Sequence, residues 1–359
     1  MPEERHALDN WEEIMENNRI NRRSVLRGGA IAALASPALV GKAIAQGQVT
    51  WRVQAHWPKA SSSFNDSLGV IATLLEEKTE GAFKLEPLGA GEFAKGPDIY
   101  NIVRKGVVPM GTVSPSYITD NAQAATFVYG IPGTLRQAWE MEHAMKNLGV
   151  EALVNKDLNP DGVHLMCEKV LPTEMVVSKK IESAADFAGL KIRSSGAMLD
   201  YLAAAGAAPQ YIAGSELYQS LSSGVVDGAH WGAAIGAQSM SLWEVCKYHY
   251  KPVLAQTTDA FILNIEALEA LPEDLRGALE EVITTRFFLR SAEYQHKEAI
   301  ALSEGVANDG VEVVTLPDDV LEMLANASAN ILETEGQKGE HAAAAADIYR
   351  TLMKDMGYV

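Results

Sequence analysis

The sequence predicts an α/β fold with mixed sheets, organised as two domains, and three observations carry that prediction. Short β-branched or aromatic runs alternate with runs of helical period from residue 49 to the C-terminus. The 359 residues suit two domains of about 100–200 residues each. No low-complexity linker separates the halves, which points to domains joined by strands running between them.

Composition narrows the function classes. Hydrophobic residues are 47% and charged residues 21%, enough to bury a sizeable core. The net charge of −17 makes nucleic acid or an anionic membrane surface an improbable partner. Cys167 and Cys246 are too few for a metal cluster or a disulfide framework, and the expectation is two free, buried thiols.

Residues 1–45 read as an export signal. Asn21-Arg22-Arg23-Ser24-Val25-Leu26-Arg27 is basic, residues 28–40 are small or apolar, and Ala43-Ile44-Ala45 is a small-residue cleavage site. The paired arginines match the twin-arginine pattern, which delivers folded proteins to the bacterial periplasm. The apolar stretch is too short to cross a bilayer as a helix.

The elements follow in order. Residues 49–54 form a first strand; 64–77 form a helix with Leu68, Ile71, Leu74 and Leu75 on one face. A strand over 83–88 leads into the glycine-rich loop 89–96, after which Pro97 sits where a helix begins. Strand 107–112, helices 134–148 and 150–158, and strand 163–170 complete the first series. The second series has strands 174–178, 190–193, 209–212 and 228–231, with helices 183–187, 197–205 and 215–222 between them. Strand 258–264, a very long helix over 275–307, strand 312–315, a helix opened by Pro317 and a terminal helix over 341–356 close the chain.

Catalytic motifs are missing. There is no G-x-S-x-G, no H-E-x-x-H and no C-x-x-C. The 89–96 loop lacks the Lys-Ser/Thr ending of a phosphate loop. The default shifts toward binding.

The most informative run is Asp186-Phe187-Ala188-Gly189-Leu190-Lys191-Ile192-Arg193, then Gly206-Ala207-Ala208-Pro209, Glu216-Leu217-Tyr218-Gln219-Ser220-Leu221 and Gly224-Val225-Val226-Asp227-Gly228-Ala229-His230-Trp231. These elements, in this order and spacing, resemble the DctP-like solute-binding proteins of tripartite ATP-independent periplasmic (TRAP) transporters, nearest to the 2-oxo-acid and lactate-binding branch. The resemblance spans essentially the whole chain after the signal. It implies a two-domain periplasmic binding protein of type II-like fold with hinge strands and a long helix spanning the domains. Domain I is expected over 47–170 plus 257–298, and domain II over 171–256 plus 299–359. It further implies capture of a small organic carboxylate in the cleft, delivery to TRAP permease subunits in the membrane, and no enzymatic step. An enzyme on a binding-protein scaffold, or a sensory ligand receptor, stands as the alternative. Some relatives dimerise through C-terminal helices, and the terminal helix here is long enough for that.

Candidate ligand residues follow from chemistry and place. Arg193 ends a strand beside Ser194-Ser195; its planar fork matches a carboxylate, and in the family the matching arginine pairs with the ligand's acid group. Trp231 supplies an apolar wall with one N–H. His230 stands where the resembling branch has a glutamate that helps hold a cation, and no acid precedes Asp259 in 254–258. No bridging Na⁺ or Ca²⁺, and no cofactor, is therefore expected; His230 is expected to donate to the ligand instead. Ligands of open α/β sheets bind beyond the ends of strands, which adds Trp57, Phe64, Glu92, Phe93, Ser116, Tyr117 and Glu174. The expected ligand is a 2-oxo, hydroxy or aromatic monocarboxylate.

Overall fold

Nine strands form one mixed sheet in the computed structural model, which describes residues 47–359. The twin-arginine signal expected over 1–45 lies outside the described residues. The strands are β1 (Val49–Gln54), β2 (Phe83–Leu88), β3 (Met110–Val113), β4 (Val163–Val177), β5 (Lys191–Ser194), β6 (Ala208–Tyr211), β7 (Gly228–Trp231), β8 (Tyr248–Asn264) and β9 (Glu312–Thr315). Their spatial order is β2-β1-β3-β8-β4-β7-β5-β6, with β9 beside the start of β8.

β4 and β8 organise everything else. They run antiparallel over most of their length, 15 and 17 residues, through the middle of the sheet. Every residue of β4 except His164 is buried, as expected for a strand covered on both faces. At one end β8 pairs with β3, and β1 and β2 extend the sheet in parallel. At the other end β4 pairs with β7, and β5 and β6 extend it in parallel. Each outer set has the strand–helix alternation that the sequence shows. The two central strands belong to both sets.

The sequence reading splits both central strands. It expects two strands over 163–170 and 174–178; Leu171-Pro172-Thr173 reads as a break, yet the ladder continues through it as Leu171↔Thr257, Pro172↔Gln256 and Thr173↔Ala255. It begins β8 ten residues late, because Lys251-Pro252 and Gln256-Thr257-Thr258 look like loop. The register slips between Cys167 and Lys169 and again between Thr173 and Met175. These are bulges, which re-aim side chains beside a site.

The 36-residue helix Glu273–Asn308 lies across β4. It buries Leu275, Leu279, Val282 and Ile283 against Leu68, Ile71 and Leu75 in one core cluster. Farther along it sends Tyr294 and Ala301 into a second cluster, around Trp243 and Leu242. The helix Asp318–Gly336 packs on Ala197–Ala204, whereas the terminal helix Glu340–Asp355 packs on Val150–Leu158 and Ala125–Tyr129. The C-terminal segment thus braces both outer sets. The apolar side of the terminal helix, including Ala345, Tyr349 and Leu352, is already covered by its own chain. Cys167 and Cys246 are buried and unbridged. No helix among the described residues is long and apolar enough to cross a membrane.

Candidate functional site

The ends of the parallel strands and the middles of β4 and β8 converge on a cavity of about 80 Å³. Drug-sized ligands occupy sites of roughly 300–1,000 Å³, so this cavity takes a molecule of only a few heavy atoms. His56, Trp57, Ser114, Tyr117 and Tyr129 line it from one side, with Arg193, Ser195, Gly214, His230 and Trp231 from the other. Leu171, Thr173, Thr257 and Asp259 of the central strands and Tyr294 of the long helix complete the wall.

Contacts between the loops after β3 and those after β5 and β6 close it over. A Cβ at Gly196, which has φ +55°, would sit 2.7 Å from the Ser116 Cβ. The Tyr117 and Tyr211 rings meet edge to face, with centroids 6.0 Å apart.

Arg193 is the penultimate residue of β5 and is buried, at 3% exposure. Nε donates to the Ile212 carbonyl at 2.8 Å and Nη1 to the His230 carbonyl at 3.3 Å, which fixes the plane of the fork. Its guanidinium carbon lies 4.8 Å from the centroid of a Trp231 ring. No carboxylate among the described residues forms an ion pair with it. Its countercharge is thus missing among the described residues, and a buried cation is costly without one.

Trp231 stands between two glycines. A Cβ at Gly214 would come within 2.6 Å of Cη2, and one at Gly236 within 2.7 Å of Cδ1. Only backbone fits there, so the indole is held flat as a wall of the cavity.

His230 is buried, with Nε2 3.1 Å from the Tyr129 hydroxyl and Nδ1 without a partner among the described residues. Burial, and then the Arg193 charge, push its pKa well below the ordinary 6.5. The imidazole is neutral, so the charge-assisted form of the expected contact to a ligand is disfavoured. Burial pushes the Tyr129 phenol up to about 12.

The structure therefore brings Arg193, His230, Trp231, Tyr117 and Trp57 together. It places five other expected residues elsewhere, each for a physical reason. Glu92 is paired with Lys59 at 2.5 Å on the surface, and Phe93 is 53% exposed. Phe64 packs into the core with Leu68 and Phe83, leaving the serines before it to line the cavity. Ser116 lies behind Ser114, their hydroxyls 2.8 Å apart. Glu174 is taken up by His249 Nε2 at 2.5 Å and by the Lys251 ammonium.

Sequence reasoning missed His56, Ser114, Tyr129, Thr173, Ser195, Thr257 and Tyr294 in the lining, and with them its single carboxylate, Asp259. It pairs in register with Lys169 across β4 and β8. Oδ2 accepts from Trp57 Nε1 at 3.0 Å and from Lys169 Nζ at 3.3 Å, while His56 Nε2 stands 3.5 Å from Oδ1. Burial alone would raise its pKa, but Lys169, His56 and Trp57 outweigh burial and hold the carboxyl well below the usual range. Lys169 is fully buried, also 2.5 Å from Glu168 and 5.0 Å from a Trp57 ring centroid. The bulge after Cys167 brings Glu168 and Lys169 to the same charge cluster. A sequence signal existed: charged residues inside apolar runs, Glu168 and Lys169 in 163–170 and Asp259 in 258–264, a pattern that requires buried pairing.

The comparisons with known proteins bear on this geometry. Residues 54–338 match the family described as bacterial extracellular solute-binding protein, family 7. A monocarboxylate 2-oxoacid-binding periplasmic protein of a Nostoc species is 25% identical over 332 residues, covering 89% of this chain and 90% of its own. A TRAP transporter solute-binding protein from Bordetella bronchiseptica, with copurified calcium and picolinate, superposes with TM-score 0.80 at 22% identity, over 87% of this chain and 94% of that one. A TRAP periplasmic solute-binding protein from Pseudoalteromonas atlantica, with bound sodium and pyruvate, gives TM-score 0.80 at 21% identity, over 87% and 95%.

Those two structures hold a metal ion, which raises the question of whether these residues suit one. Asp259 is the single carboxylate of the lining, and one of its oxygens already serves Trp57 and Lys169. Calcium takes six to eight oxygens, usually several of them carboxylate, so the lining does not fit a hard cation. Glu174, His249 and Glu298, whose ligand atoms lie within 4.8 Å of one another, are no better suited. Trp243 Nε1 donates to His249 Nδ1, which leaves the proton on Nε2, facing Glu174. Both Glu298 oxygens accept backbone N–H groups, of Ala234 and Ile235.

Proposed function

This chain belongs to the bacterial extracellular solute-binding proteins of family 7, and from that premise we propose that it captures a small organic carboxylate for a TRAP-type permease. The observation that carries this reading is Arg193, a buried guanidinium with a fixed plane and no carboxylate partner among the described residues. A ligand carboxylate completes it with parallel, charge-assisted bonds. Trp231 and Leu171 cover the carbon skeleton, and hydroxyls of Tyr129, Ser195 and Thr173 surround it.

Both outer strand sets contribute to the wall, which supports a cleft between domains 47–170 plus 257–298 and 171–256 plus 299–359. Closure about β4 and β8 excludes water, and the lower local dielectric strengthens the Arg193 pairing. The chain would reach the periplasm through its twin-arginine signal, and its closed form would dock on the membrane subunits. The relative from Nostoc, named for 2-oxo-acid binding, supports the acid class.

A thermal-shift screen of the mature chain against organic acids tests this. A ligand at 100 times its dissociation constant adds about 2.7 kcal/mol of apparent stability. Stabilisation by amines or sugars, with none by carboxylates, would refute the substrate class.

A further inference from the structure

We propose that the cavity selects acids that also carry an O–H or N–H donor, and that Asp259 receives that donor. This rests on the carboxylate reading above and narrows its substrate class.

The two cavity charges have complementary vacancies. Arg193 has a guanidinium face without an acid. Asp259 has the reverse. Its Oδ2 is served by Trp57 and Lys169, but Oδ1 meets His56 Nε2 only at 3.5 Å, beyond ordinary hydrogen-bond length. A carboxylate accepts about four bonds, and Asp259 keeps 14% of its side chain exposed where Lys169 keeps none. The free capacity therefore faces the cavity.

The surrounding groups keep Asp259 an acceptor. Lys169, sealed behind it, donates to Oδ2 at 3.3 Å. Thr112 Oγ1 accepts the backbone N–H of His56 at 2.9 Å and pairs with its Nδ1 at 2.8 Å, which fixes the ring beside the carboxylate. Arg193, Tyr129 and Asp259 all line the same cavity.

A ligand lying between them puts its carboxylate on Arg193 and its far substituent against Oδ1. A keto oxygen there sets lone pair against anion. A hydroxyl, an amine or a lactam N–H makes a charge-assisted bond instead. Sites built to hydrogen-bond a substrate group reject analogues that lack it far more strongly than apolar pockets reject a missing methylene. Hydroxy, amino and lactam acids are thus favoured over their 2-oxo counterparts, without a bridging metal.

Titration calorimetry of the mature chain with L-lactate, D-lactate, pyruvate and L-pyroglutamate, in sodium-free buffer with EDTA, tests this. The expected result is binding of at least one donor-bearing acid about 50-fold or more tighter than pyruvate. Asp259→Asn should collapse that ratio to within a few-fold while pyruvate binding holds or improves. The wild-type ratio alone decides should the variant not fold. Pyruvate binding as tightly as the donor-bearing acids would overturn the proposal, as would binding that appears only when calcium or sodium is restored. If no carboxylate binds under any of these conditions while other ligands do, the carboxylate reading itself fails.

Discussion

Lys169 and Asp259 face each other from neighbouring strands, Nζ 3.3 Å from Oδ2, at registered positions ninety residues apart in the chain. Lys169 also neutralises Glu168. Removing the ammonium leaves Glu168 buried without a partner among the described residues and Asp259 with only Trp57 and His56 beside it. Lys169→Met should therefore lose about 3–5 kcal/mol. A thermal melt would register that as a fall of roughly 5–15 °C, part of which the double variant with Asp259→Asn should recover. An unchanged midpoint would mean the pair contributes nothing.

Arg193→Lys should weaken carboxylate binding by about 30-fold or more, since truncating one partner of a buried charged pair costs roughly 2–5 kcal/mol. A point charge keeps neither the bond to Ile212 nor the flat stack on Trp231. Calorimetry on the variant decides it; retained affinity removes Arg193 from the site.

Stability should fall with pH below about 6.5, and His230 should account for part of that fall. The folded state keeps its imidazole neutral, with a pKa well below 6.5. The unfolded chain takes up a proton as pH drops through about 6.5, so it binds more protons than the native state and folding weakens. His230→Gln should give a flatter profile of thermal midpoint between pH 7 and pH 5. Parallel profiles would assign the loss to other groups.

Gly236→Ala should reduce ligand affinity by about tenfold or more. The added methyl meets the indole of Trp231 at 2.7 Å and must push it toward the ligand, a strain of about 1–3 kcal/mol. Longer acids should suffer more than short ones in a calorimetric series. An equal loss across the series would point to general misfolding, which the melting curve would show.

Much of the fold was legible because local patterns and tertiary structure agree. Val49–Gln54, Phe83–Leu88, Gly228–Trp231 and Glu312–Thr315 stand where the residue pattern puts strands, and Val150–Leu158 where helical period puts a helix. The central strands were legible only in pieces. They are buried on both faces, so the alternation that marks a half-exposed strand is absent, and Pro172 and Pro252 resemble breaks. The cavity divides in the same way. Arg193, His230 and Trp231 were legible through their chemistry and the family-like run that holds them, whereas of the residues chosen for their place after strands only Trp57 and Tyr117 line the cavity. Asp259 sits mid-strand, and its role depends on a partner that only the antiparallel register brings beside it.

The floor of the cavity consists of Leu171, Thr173, Thr257 and Asp259, all from the interior of two unbroken strands that the outer strand sets share. A guest resting there would lean on the two strands that both wings of the sheet share. Occupancy should thereby be felt as stiffness: amide protons across 169–173 and 255–259 should exchange more slowly once the guest arrives, even where every helix keeps its place.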